Sequence, residues 1–159
     1  MNESKSIELL LVEDNPLDLE LTLRALRKAN RSNGIHVIRD GAEALEFIFC
    51  EGPHAARRVT DGPEVILLDL KLPKIDGLEV LKRIRGDART KMIPIVMLTS
   101  SKAQTDVIKS HQLGVNGYIV KPVNFKRLAD TARNLGLYWA VRDVCLYWLE
   151  LNLPSNIDH

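Results

Sequence analysis

Apolar residues along this chain fall into two alternating rhythms. Short, largely apolar runs rich in β-branched residues, Ile7–Val12, Ile35–Ile38, Val65–Leu68, Ile93–Leu98 and Tyr118–Val120, predict five strands. Between them, Pro16–Ala29, Ala42–Cys50, Leu78–Arg85 and Ala103–Leu113 repeat apolar positions every three or four residues, the spacing of amphipathic helices. Strands that alternate with helices build βαβ units, whose right-handed crossovers bury a parallel sheet on both faces. The expected fold class is therefore α/β, a doubly wound five-stranded parallel sheet.

Punctuation supports these boundaries. Asn15-Pro16 sets a capping residue before a proline at the first helical position, with Asp18 available to the first turn. Asn33-Gly34 and Gly114 stand where helices should end, and Pro73 with Gly77 breaks the path from the third strand into the third helix. Glu51–Pro63, with its Arg57-Arg58 pair, is too long and polar for a tight turn and is expected to be an exposed loop with solvated charges.

The last helix is different. From Phe125 the stripe Leu128, Ala132, Leu135, Trp139 is helical, and the pattern runs to about Leu151, roughly 40 Å and longer than the sheet needs. Of the 17 residues from Leu135 to Leu151, 13 are hydrophobic, and Tyr138, Trp139, Tyr147 and Trp148 are half of the chain's aromatics. An aromatic surface of this kind is expected to be an interface, so a homodimer through this helix is the leading expectation. It lacks the lysine-rich polar face of a membrane-lying helix.

Composition narrows the function. At 159 residues the chain is sized for one domain with a short appendage. With 22 basic against 21 acidic residues the formal net charge is +1, which gives no global field for nucleic acid or an anionic membrane. The first apolar stretch, Ile7–Val12, is interrupted by Glu8 and much too short for a signal-peptide core or a membrane span. Cys50 and Cys145 are too few for a disulfide framework, which fits a cytoplasmic protein. His36, His54, His111 and His159 show no metal-ligand spacing.

Candidate chemistry lies where parallel sheets collect it, beyond the carboxyl ends of the strands. Reading those ends gives Glu13-Asp14 after the first strand, Asp69 after the third, Thr99-Ser100 after the fourth and Lys121-Pro122 after the fifth. Three carboxylates crowded together repel one another, and a hard divalent cation with oxygen ligands, Mg²⁺ above all, relieves that repulsion. An aspartate oxygen beside the metal can attack a phosphoryl donor while Mg²⁺ and Lys121 balance charge on the phosphoryl oxygens and Thr99 hydrogen-bonds to them.

With these residues in place, the sequence resembles the receiver domain of two-component response regulators, through LLVEDN (Leu10–Asn15), VILLDLKLPKIDG (Val65–Gly77), VMLTS (Val96–Ser100) and YIVKP (Tyr118–Pro122). The resemblance spans residues 6–135, leaving residues 136–153 as a C-terminal helical extension. It implies a flavodoxin-like strand order of 2-1-3-4-5. It makes Asp69 the phosphoacceptor for a sensor histidine kinase, Asp14 a direct Mg²⁺ ligand, Glu13 its water-mediated neighbour and Lys71 the source of a coordinating backbone carbonyl. Thr99 then resembles the switch hydroxyl, Lys121 the phosphate-pairing lysine and Tyr118 the aromatic whose ring moves between outward and inward states. The Lys121-Pro122 bond is typically cis in such domains. Lys71 and Ser101 occupy positions that tune dephosphorylation, and the aromatic extension looks most like single-domain regulators paired with phytochrome-type kinases.

The implied function is a stand-alone phosphorylation switch controlling self-association or partner binding, a signalling protein rather than an enzyme. Nothing after residue 135 is long enough for a helix-turn-helix reader. A Mg²⁺-dependent phosphatase or phosphotransferase could use the same nucleophile but would need a second acid two residues after Asp69, where Lys71 stands. A phosphate-independent scaffold remains the other alternative. A flavin binder is disfavoured, because Glu-Asp-Asn-Pro replaces a phosphate-cradling loop after the first strand.

Overall fold

The protein is described by a computed structural model covering residues 9–28, 34–59, 62–100, 109 and 111–135. Five parallel strands, β1 (Leu9–Val12), β2 (Ile35–Ile38), β3 (Val65–Asp69), β4 (Ile95–Thr99) and β5 (Gly117–Val120), form one sheet in the order β2-β1-β3-β4-β5. Register is direct: Leu9 pairs with Ile35 on one side and Val65 on the other, and Asp69 pairs with Leu98. Every residue of β1, β3 and β4 is buried, so these strands read as unbroken apolar runs, whereas β2 and β5 at the edges are only partly covered.

Alternate side chains leave the sheet on opposite faces and build two cores. On one face Leu9, Leu11, Val65, Leu67, Val96 and Leu98 pack with Ala25 and Leu26 of α1 (Pro16–Lys28) and Leu128 and Ala129 of α4 (Phe125–Leu135). On the other, Leu10, Val12, Ile66, Leu68, Ile95 and Met97 meet Ala44, Phe47 and Ile48 of α2 (Gly41–Ile48) and Val80, Leu81 and Ile84 of α3 (Gly77–Arg85). Each large side chain buried here contributes about 1.5–3 kcal/mol relative to exposure.

All four of these helices start on an Asx cap, the first of them the one that Asn15-Pro16 signals in the sequence. Asn15 Oδ1 accepts from the Asp18 amide at 2.9 Å, Asp40 Oδ1 from Glu43 at 2.7 Å, Asp76 Oδ1 from Glu79 at 3.0 Å and Asn124 Oδ1 from Arg127 at 2.9 Å. Of the helix expected at Ala103–Leu113, only its end is described: Lys109, His111 and Gln112 are helical and Gly114 closes the turn at φ +90°. The remainder, with Ser101, lies outside the described residues, as does the extension after Leu135 on which the dimer expectation rests.

Two boundaries and one loop differ from expectation. Strand β4 starts at Ile95 rather than Ile93, because the Ile93 amide is taken by Thr90 in the preceding turn and Pro94 has no amide to give. Helix α2 stops at Ile48, and Cys50 takes a positive φ of 56°. The loop after it contains a 3-10 turn, Gly52–His54, and is not uniformly solvated. Arg57 folds inward, its guanidinium 3.9 Å over the Phe47 ring, bonded to the Phe47 carbonyl and to the Gly62 carbonyl at 3.2 Å. Cation–π stacking and two backbone acceptors outweigh the hydration that a charge pair in a polar loop would otherwise keep.

Candidate functional site

The strand order reverses between β1 and β3, and the residues leaving these two neighbours are Glu13-Asp14 and Asp69. A carboxylate oxygen from each of the three lies within 4.8 Å of the others. Glu13 and Asp69 are buried while Asp14 opens to solvent, so the cluster has a sealed floor and one accessible side. Arg39, just after β2, donates to the Asp14 carbonyl at 3.0 Å and fixes the backbone that carries it. The loop after Asp69 is pinned from below, since the Gly77 amide donates to the Leu70 carbonyl at 3.0 Å and the Gly41 amide to the Pro73 carbonyl at 3.2 Å.

Lys121 enters from the end of β5. Its side chain is 7% exposed, and its Nζ lies 2.8 Å from Glu13 Oε1, 3.1 Å from Asp69 Oδ1 and 3.0 Å from Asp18 Oδ2. The Lys121-Pro122 peptide is cis, as the resemblance implied, and the Lys121 amide continues the β4–β5 ladder by donating to the Thr99 carbonyl at 2.8 Å. Thr99, at the end of β4, is buried beside this ladder. The Lys71 amide faces Asp69 Oδ1 at 3.4 Å, and the Lys71 side chain is exposed. Tyr118 is 42% exposed and packs edge-on against His111 with ring centroids 5.7 Å apart.

Electrostatics follow from crowding. Burial, contact with Asp69 and the Asp69 charge raise the Glu13 pKa to about 7 against the pull of Lys121. Burial alone would lower the Lys121 pKa, but contacts with Glu13 and Asp18 and the Asp69 charge raise it above its ordinary value, so the ammonium stays charged. Glu13 Oε1 is buried and, although close to Lys121, is not aligned with a hydrogen-bond donor. A buried carboxylate oxygen without an aligned hydrogen bond, beside two more carboxylates, is a donor set that suits a hard, hydrated divalent cation.

The strand-end reading therefore brings Glu13, Asp14, Asp69 and Lys121 together, with Thr99 on the adjacent strand end and Tyr118 on the outer side of β5. It gave Asp18 only a place in a helical turn and gave Arg39, at the end of the second strand, no part in the site. The acidic residue in the first turn of α1 was the available signal for Asp18, but only the reach of Lys121 from the end of β5 shows its target.

A doubly wound sheet with this acidic cluster and lysine defines a class of phosphoryl-accepting signalling domains. A family model for the response regulator receiver domain matches residues 9–133, and the chain belongs to that family. It is similar to the response regulator Rcp1 of a Synechocystis species, 37% identical over 131 residues, covering 82% of this chain and 87% of Rcp1. Among solved structures, the bacteriophytochrome response regulator RtBRR aligns with a TM-score of 0.77 at 44% identity, over 97% of this chain and 96% of its own. A second, AtBRR, gives 0.75 at 48% identity over 85% and 96%. A structure of Rcp1 is a Mn²⁺-bound form, with a TM-score of 0.68 at 38% identity over 83% of this chain and 93% of that one. The protein is a response regulator receiver, a phosphoacceptor in two-component signalling. No helix among the described residues is long and apolar enough to cross a membrane.

Proposed function

We propose that Asp69 accepts a phosphoryl group from the phosphohistidine of a phytochrome-type sensor histidine kinase in the cytoplasm, and that the resulting acyl phosphate acts as a stand-alone switch. The observation that carries this reading is the ammonium of Lys121 3.1 Å from Asp69 Oδ1, inside a cluster with Glu13 and Asp14. An Asp69 oxygen attacks phosphorus, the phosphorus–nitrogen bond to the kinase imidazole breaks, and its electron pair leaves with the imidazole nitrogen, which takes up a proton. Lys121 stabilises the charge on the transferring oxygens. Mg²⁺ held by Glu13, Asp14, Asp69 and the Lys71 carbonyl would supply further neutralisation of those oxygens.

Thr99 is the hydroxyl that closes on the new phosphoryl group, and Tyr118, which lies outward against His111, is the ring that reports the change. The phosphoryl group shifts the population toward the closed arrangement because only that arrangement satisfies its oxygens. The readout is self-association, through residues 136–153, or altered partner affinity. The names of RtBRR and AtBRR, both bacteriophytochrome response regulators, support the phytochrome pairing through likeness.

Intact mass after incubation with acetyl phosphate and Mg²⁺ tests the reading. One phosphoryl adduct is expected, lost in Asp69→Asn and in chelator, with a change in sedimentation when the adduct is present. No adduct on folded wild-type protein would leave the scaffold alternative.

A further inference from the structure

Three carboxylates contact Lys121, and the reaction explains only two of them. Glu13 and Asp69 belong to the strand-end cluster; Asp18 does not. Its carboxylate comes from the first turn of α1, 103 residues away in sequence, and accepts a hydrogen bond from Lys121 Nζ at 3.0 Å. Glu13 Oε1, though nearer at 2.8 Å, has no hydrogen-bond alignment, so Asp18 makes the better-directed contact. The position is held from both ends. The Asp18 amide is bound to the Asn15 cap at 2.9 Å, and Lys121 leaves a β5 backbone locked to Thr99. Asp18 retains 25% exposure and so sits on a partly wetted rim.

We propose that Asp18 is a positioning residue that holds the Lys121 ammonium in the unphosphorylated state and competes for it with the phosphoryl group on Asp69. This rests on Asp69 being the phosphoacceptor. Two effects act in the same direction. The Lys121–Asp18 bond must be weakened or shared before the ammonium can serve a phosphoryl oxygen. In addition, phosphorylation replaces the single carboxylate charge of Asp69 by about −1.5 to −2 on the phosphoryl group, and the Asp18 carboxylate beside the same cation repels that gain. Asp18 touches no reacting atom and acts through Lys121. Its differential contact with the two states is what moves the equilibrium toward the resting one.

Beryllofluoride, which binds an aspartate as a phosphoryl mimic, reads this competition directly. The experiment titrates it into the full chain at saturating Mg²⁺, followed by fluorine NMR, for wild type, Asp18→Asn, Asp18→Glu and Glu20→Gln. Asparagine keeps the size and an acceptor oxygen but removes the charge; it is expected to bind the mimic roughly five-fold tighter or more. Glutamate restores the charge and is expected to return affinity toward wild type. Glu20 sits on the same helix but pairs with Arg24 at 3.0 Å, so Glu20→Gln is expected to match wild type.

A merely structural Asp18 would lower the melting temperature in Asp18→Asn and weaken the mimic, the opposite sign. Unchanged or weaker binding in Asp18→Asn, or equal tightening in Glu20→Gln, overturns the proposal while leaving the phosphoacceptor reading intact. Failure of wild type to bind the mimic and to take a phosphoryl adduct overturns both.

Discussion

Lys121 carries one positive charge into a site where Glu13 and Asp69 are almost fully enclosed. Burying opposed charges yields little net stability, but deleting one partner strands the others. Replacing Lys121 by Met is therefore expected to cost on the order of 3 kcal/mol in metal-free buffer, measured by urea unfolding. Added Mg²⁺ should recover part of that loss by binding the folded state. A loss of the same size with and without Mg²⁺ would show that the stranded carboxylates are not its cause. At this scale Asp14, Asp69, Thr99 and Lys121 were legible in the sequence because each stands at or just past the end of a short apolar run, so the end of the run places the side chain. Asp18 was not legible in that way. Its role depends on the rotation of α1 about its axis and on a long-range contact with Lys121, which no local pattern encodes.

Among the elements, α3 meets β3 so closely that there is no room for a side chain. A Cβ built on Gly77 would lie 2.2 Å from the Asp69 carbonyl oxygen. Gly77→Ala must therefore push the start of α3 away from the residue that accepts the phosphoryl group. A loss of about 1–3 kcal/mol is expected. Acetyl phosphate labelling of Asp69, followed by mass, should fall with it; undiminished labelling would mean that the displacement stops short of the carboxylate.

The loop after α2 offers a second test. His36 of β2 stacks on Phe47 at 4.4 Å, and His54 of the 3-10 turn meets the same ring edge-on at 5.0 Å and Glu43 of α2 at 3.3 Å. Burial first, then the charges of His54 and Arg57, lower the His36 pKa against the pull of Glu43. A depressed folded pKa means that the stabilisation is complete above the ordinary value of 6.5 and is lost as pH falls through the folded value. Wild type should lose stability more steeply below pH 6.5 than His36→Gln, as read from urea midpoints against pH. Parallel profiles would show that His36 charge is not involved. The inward fold of Arg57 was hidden from the sequence because the arginine sits in a polar loop, while its partner Phe47 lies ten residues earlier on a helix face.

Across the whole molecule, the switch between β1 and β3 decides where chemistry can occur; the parallel sheet was legible because three of the five strands are buried on both faces and read as plain apolar runs, whereas its strand order came from the resemblance to receiver domains. The contact between Lys121 and Asp18 joins the beginning of the domain to its last strand. A ribosome delivers Asp14, Asp18 and Asp69 long before Lys121, so a nascent or prematurely ended chain carries the acids without their cation. Competence to be labelled thus arrives together with the completed sheet. A fragment that ends before β5 therefore presents its carboxylates without the ammonium that balances them.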